Sequence, residues 1–81
     1  MKRDEVMAAI SEILKTDYGY KEEVSDETNL TKDVGLDSLD SVELMMKVET
    51  NFNINVPDSE AAAVSTVGQV CDLVIAKQAG K

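Results

Sequence analysis

The chain has no histidine, a single cysteine, two tyrosines and one phenylalanine among its 81 residues. Without histidine, a hydrolase of the usual Ser–His–Asp form is excluded. Cysteine–histidine catalysis and zinc sites built on His and Cys fall with it. One cysteine makes no internal disulfide and fits a reducing compartment. The four glycines form neither a phosphate-cradling loop nor a dinucleotide fingerprint. No apolar run is long enough to span a membrane, and no signal-peptide pattern is present. The expectation is a cytoplasmic protein without membrane insertion, in which the sequon Asn29-Leu30-Thr31 is chance. Bases are scarce: eight against sixteen acids, a formal charge of −8. That balance argues against nucleic acid and anionic membranes, and for partners with basic surfaces. Acidic chains poor in aromatics can be disordered, but 43% hydrophobic residues set at helical spacing oppose that reading. The length predicts one domain over residues 1–81 with a small core and modest stability; a monomer is expected.

What is present is organised around Gly35-Leu36-Asp37-Ser38-Leu39-Asp40-Ser41-Val42-Glu43-Leu44. From Ser38 to Phe52 there is no proline or glycine, and Leu, Met, Glu and Lys favour a helix. Gly35 supplies a turn, Asp37 or Ser38 can cap, and Asp40 and Glu43 suit the positive end of the helix dipole. At about 100° per residue, Ser41, Leu44, Met45, Val48 and Phe52 share one side, a normal core face. Leu39, Val42 and Met46 form a second apolar arc, bordered by Glu43 and Thr50, with Ser38 and Glu49 lying between the arcs. The second arc is either part of a wide core face or a strip for a partner that is basic at its rim and apolar at its centre. Ser38 is likewise either an N-cap or a point where an attached phosphate would meet free N–H groups and a favourable dipole.

The rest reads as support. A first helix spans about Arg3 to Lys15, with Val6, Ile10, Ile13 and Leu14 inward and Gly19 ending it. The tyrosines at 18 and 20 pack at the helix end. Residues 20–37 form a long connection pinned by Val24, Leu30, Val34 and Leu36. After Phe52, the segment Ile54-Asn55-Val56-Pro57 is extended, since the residue before proline avoids helix. Asp58 caps a short third helix through Ala63, and Val56 and Val64 pack inward. Thr66 and Gln69 have capping-box spacing and open a last helix to about Lys77, with Val67, Val70, Cys71 and Val74 on one face. The tail from Gln78 to Lys81 is expected to fray. The fold class is all-α: a small irregular four-helix bundle of three longer helices and one short one, with a long loop between the first two.

The run from Asp33 to Leu44, with Asp37-Ser38-Leu39 at its heart, resembles the prosthetic-group attachment motif of acyl carrier proteins. The later Phe52-Asn53-Ile54-Asn55-Val56-Pro57-Asp58 and Thr66-Val67 extend the resemblance over nearly the whole chain. The resemblance implies a four-helix bundle whose serine, here Ser38, carries covalent 4′-phosphopantetheine from coenzyme A. The donor step belongs to a separate phosphopantetheinyl transferase, a holo-ACP synthase, which brings its own magnesium. The arm's thiol then holds acyl groups as thioesters for acyl-transfer and fatty-acid or polyketide synthesis enzymes with basic docking surfaces. Matching positions imply partner contacts at Asp37, Leu39, Asp40, Val42, Glu43, Met46, Glu49 and Val56. No catalytic residue and no metal site is implied.

Some positions depart from that pattern. Thr50 stands where many fatty-acid members carry an acid, Lys47 puts a positive charge into the acidic helix, and Ala61, Ala62 and Ala63 thin out a helix that is often acidic. These leave room for a dedicated pathway. Asp37 argues against peptidyl carriers, and Leu39-Asp40 suits acyl carriers better than D-alanyl ones. From a different class, the chain could be an unmodified acidic helical interaction module with Ser38 as a cap. The run Asp33-x-Gly35-x-Asp37-x-Leu39 lacks the ligands of an EF-hand loop. Divalent ions are expected to act only weakly, by relieving self-repulsion among carboxylates.

Overall fold

The computed structural model describes residues 2–80. Four helices follow in order: α1 (Arg3–Tyr18), α2 (Ser38–Phe52), α3 (Asp58–Ala63) and α4 (Val67–Ala79). Among the described residues there is no strand, only an isolated antiparallel bridge between Asn29 and Thr66. The all-α, four-helix expectation holds.

The α1 stripe Val6, Ile10 and Leu14 is fully buried, while Ile13 is only partly so. The helix runs to Tyr18, three residues beyond the expected Lys15, because nothing stops it before Gly19. There the chain turns left-handed (φ 69°) and the Gly19 N–H donates to the Leu14 carbonyl, a conformation glycine adopts without steric cost. α4 buries Val67, Val70, Cys71 and Val74 and packs along α1. Its start is the expected capping box, with the Gln69 N–H donating to Thr66 Oγ1 at 3.2 Å and the Thr66 N–H to Gln69 Oε1 at 3.1 Å.

α4 continues to Ala79, so residues 78–80 are not a loose tail. Gln78 Nε2 donates to the Phe52 carbonyl at 2.8 Å, and the Gly80 N–H donates to Ala76 O. Lys81 lies outside the described residues.

The long connection is tied down at both levels of chemistry. Leu30 and Leu36 are buried pegs; Val24 and Val34 are half-buried against the core. Its backbone pairs with the entry to α4, Leu30 N–H donating to Ser65 O and Val67 N–H to Thr28 O, each at 2.9 Å. Gly68 approaches so closely that a Cβ there would lie 2.8 Å from the Asp26 carbonyl oxygen. Arg3 completes the joint, donating to Asp26 at 2.6 Å, to Asp72 at 3.0 Å and to the Gly68 carbonyl at 3.2 Å. These carboxylates hold the Arg3 guanidinium further into its charged form.

α3 is the exception. It is six residues long, buries no residue fully, and has no side-chain cap. Pro57, not Asp58, occupies the cap position, with φ −59°; the proline ring presets that angle. Asp58 is therefore the first helical residue, where its charge suits the dipole.

Candidate functional site

α2 presents Ser38. Its bounds, Ser38–Phe52, are those its sequence predicts. Asp37 is the N-cap: its Oδ1 accepts the Asp40 N–H at 2.8 Å, and Asp40 Oδ2 faces the Asp37 N–H at 3.5 Å. Ser38 is thus not the cap, which corrects the bland alternative for this residue. It is the exposed first residue of the helix, and among the described residues no side chain holds its hydroxyl. The first N–H groups of a helix have no intrahelical partner, and here those of Ser38 and Leu39 find none among the described residues.

Below Ser38 lies a cleft of about 450 Å³ between α2 and α3. Leu36 forms part of it, Ser41 and Val42 line it from α2, and Ala61 and Ala62 from α3. The alanines keep that wall thin. The core residues of α2, Leu44, Met45 and Val48, are closed off from solvent.

The second apolar arc is a surface strip. Leu39 is 78% exposed, Val42 48% and Met46 59%, which decides against a wide core face. The other face of α2 is the core one, with Leu44, Met45, Val48 and Phe52 buried. Asp37 and Glu43 are exposed at the strip's edge, and Asp40 is half-buried in the cap.

Two expected partner residues are placed differently. Val56 is buried at 5% exposure, as its expected inward packing requires, so it sits in the core and not on the strip; the extended segment before Pro57 turns it inward. Glu49 is half-buried, and its Oε2 accepts the Val56 N–H at 2.9 Å. Its carboxylate serves the fold, where the resemblance implied a partner contact.

A cluster at the α1–α2 contact went unseen in the sequence. Tyr18 donates its hydroxyl to Glu43 Oε1 at 3.0 Å. Lys47 bridges Asp17 at 3.1 Å and Glu43 at 3.4 Å, with its ammonium 4.8 Å from the Tyr18 ring centroid. Burial and the bond to Glu43 push the Tyr18 hydroxyl pKa up. The bond to Asp17 pushes the Lys47 ammonium up despite partial desolvation. Only the i,i+4 spacing of Glu43 and Lys47 was legible; Tyr18 comes from 25 residues away.

Cys71 is fully buried and burial raises its thiol pKa, the setting of an inert packing residue. Among the described residues no cluster of three or more acids or Cys is gathered to hold a metal ion, and no helix is long and apolar enough to cross a membrane.

A small helical bundle that offers an unheld serine at a helix start, beside a cleft and an exposed apolar strip, has the architecture of a prosthetic-group carrier. The comparisons agree. The phosphopantetheine attachment site family matches residues 4–74. An acyl carrier protein of Chloroherpeton thalassium is 38% identical over 79 residues, covering 96% of this chain and 99% of that one. Another, from Guillardia theta, is 41% identical over 80 residues, covering 98% and 99%. The crystal structure of an acyl carrier protein from Thermotoga maritima superposes with a TM-score of 0.84 at 32% identity, covering 99% of this chain and 94% of that one. The chain belongs to the phosphopantetheine-attachment family, among the acyl carrier proteins. Its prosthetic group is 4′-phosphopantetheine.

Proposed function

We propose that Ser38 is the attachment point and that the chain acts as a single-domain, monomeric, non-catalytic tether in the cytoplasm, serving fatty-acid or related polyketide-like synthesis. The observation that carries this reading is the Ser38 hydroxyl, exposed at the first position of α2 and relieved of capping by Asp37. The residues present fit the group: an open hydroxyl that would bond it, helix N–H groups that would serve its phosphate, and a cleft along which an arm could lie.

In the transferase, Ser38 Oγ attacks the pyrophosphate of coenzyme A. The new P–O bond replaces the phosphoanhydride bond, the nucleotide leaves, and the hydroxyl proton passes to a base of the transferase. When bound, phosphopantetheine supplies a terminal thiol that carries acyl groups as thioesters. The chain's own residues then do three things. Asp37 and Asp40 hold the start of α2 rigid under the attachment point. Leu39, Val42 and Met46 give partner enzymes an apolar centre. Asp37, Asp40 and Glu43 give them an acidic edge, so that basic docking surfaces find the site quickly and leave it quickly. Partners are a holo-ACP synthase-type transferase and acyl-transfer and synthesis enzymes. Glu43, shared with Tyr18 and Lys47, makes the α1 side of this surface less negative than its acids alone suggest.

The test is an intact mass after incubation with coenzyme A, magnesium and a broad-specificity phosphopantetheinyl transferase. The expected result is a gain of one phosphopantetheine, absent in Ser38→Ala. A folded wild-type sample that gains nothing, alongside a control carrier that is modified, points to the interaction module instead.

A further inference from the structure

Resting on the carrier reading, we infer that Glu49 is a positioning residue for the cleft beneath Ser38: its carboxylate is the latch that holds α3 against α2. α3 has little of its own to hold it. It has six residues, none fully buried, and no side-chain cap. A helix that short does not hold itself together in water. What keeps it in place must come from its ends and from the few contacts it makes. At its far side Glu60 pairs with Lys77 at 2.8 Å, a partly exposed contact. At its near side the chain enters through Ile54, Val56 and Pro57.

That entry is where Glu49 acts. Val56 is buried, and its N–H has no backbone acceptor among the described residues. Left alone, such a group costs stability. Glu49 Oε2 supplies the acceptor at 2.9 Å, and the Glu49 carbonyl takes the Ile54 N–H at 3.1 Å. One residue of α2 therefore grips the chain twice, at Ile54 and at Val56, just after the turn made by Asn53 in the left-handed region (φ 53°). The next residue, Pro57, sits at the head of α3 and accepts the Glu60 and Ala61 N–H groups at 3.0 Å. The order of support is Glu49, Val56, Pro57, then Ala61 and Ala62, which form the cleft wall. Releasing Val56 loosens the wall at its hinge while the buried faces of α1 and α4 stay packed. A docking enzyme that lays a cation on Glu49 would thereby reach the cleft without touching Ser38.

Two conservative variants separate the latch from a docking charge. Glu49→Gln keeps the length and an acceptor oxygen but loses the charge. Glu49→Asp keeps the charge but falls a methylene short of Val56. Amide exchange on the apo protein reads the wall directly. In Glu49→Asp, the Val56, Glu60 and Ala61 amides should exchange about fivefold to tenfold faster, the size of one lost hydrogen bond. Val70 and Val74 in α4 should be unchanged. Glu49→Gln should stay near wild type. After loading with an octanoyl group, hydroxylamine should release the acyl group faster from Glu49→Asp than from Glu49→Gln. The inference is overturned if both variants exchange like wild type, if both loosen equally, or if Glu49→Gln is the looser one. Failure of the carrier reading is separate: the wild type then gains no phosphopantetheine, whatever the exchange pattern.

Discussion

The α1–α4 half and the α2–α3 half differ in how many kinds of contact hold them, although α2 buries a full core face of its own. Between α1, the long loop and α4, every kind of restraint recurs: a buried stripe on each helix, a backbone pairing at 2.9 Å, a glycine against a carbonyl, and Arg3 tying α1 to both the loop and α4. On the α2–α3 side, α3 buries no residue fully and α2 leaves Leu39, Val42 and Met46 in solvent. A carrier must present one serine reproducibly while yielding to many enzymes in turn. The division gives each task its own material. Elements that move in function are drawn from the low-stability end of a fold, and α3, with no residue fully buried, lies toward that end.

The largest effect expected on the rigid half is from Gly68→Val. The new side chain would meet the Asp26 backbone, with its Cβ 2.8 Å from the carbonyl oxygen, and backbone cannot swing aside as a flexible side chain can. Overpacking of this kind costs roughly 1–3 kcal/mol, and a β-branched residue brings no large propensity gain in return. Denaturant melts should show a loss in the upper part of that range. A loss below about 0.5 kcal/mol, the scatter of ordinary surface changes, would mean that the joint yields and that the contrast between halves is overstated.

The same contrast explains what the sequence disclosed. Local signals carried α2 almost completely: its helix formers, its acids at the start, and two apolar arcs whose outer member is now a surface strip. The Thr66–Gln69 box was legible for the same reason, since both partners sit three residues apart. Asp37 and Ser38 could each cap by residue type, and only the hydrogen bond from the Asp40 N–H to Asp37 decides between them. What stayed hidden depends on distant partners. Arg3 meets Asp72 across 69 residues, and the need for glycine at 68 comes from residue 26. Glu49 lay between the two arcs on the wheel and read as a partner contact only through the resemblance, yet the turn at Asn53 brings the Val56 N–H back onto its carboxylate. Periodicity reports which face is apolar; it does not report what a polar side chain will find opposite it.

A smaller effect sharpens the comparison at α2. Asp37→Ala removes the cap and its reciprocal bond with Asp40, at a cost of about 1 kcal/mol. Ser38→Ala should leave the melt within about 0.5 kcal/mol of wild type, because Ser38 holds no cap. Paired thermal or denaturant melts of the two variants check this. A larger loss in Ser38→Ala than in Asp37→Ala would return the capping role to Ser38 and undo its availability for attachment.

The smallest expected effect lies where the two halves meet, at Tyr18, Glu43, Lys47 and Asp17. Both Tyr18 and Lys47 have pKa values raised in the folded state. As pH rises through about 10, the ordinary range for both groups, the unfolded chain gives up these protons first. It then binds fewer protons than the folded one, so stability falls with pH. The contribution is fully present below that range and is lost above the raised values. Tyr18→Phe keeps the ring under Lys47 but removes one titrating group and the donor to Glu43. Its alkaline decline, followed by denaturant midpoints from neutral pH upward, should be shallower than that of wild type. An equal slope would mean that Tyr18 keeps no preference for its proton in the fold, and that the contact between the halves is held by the Lys47 ion pairs alone.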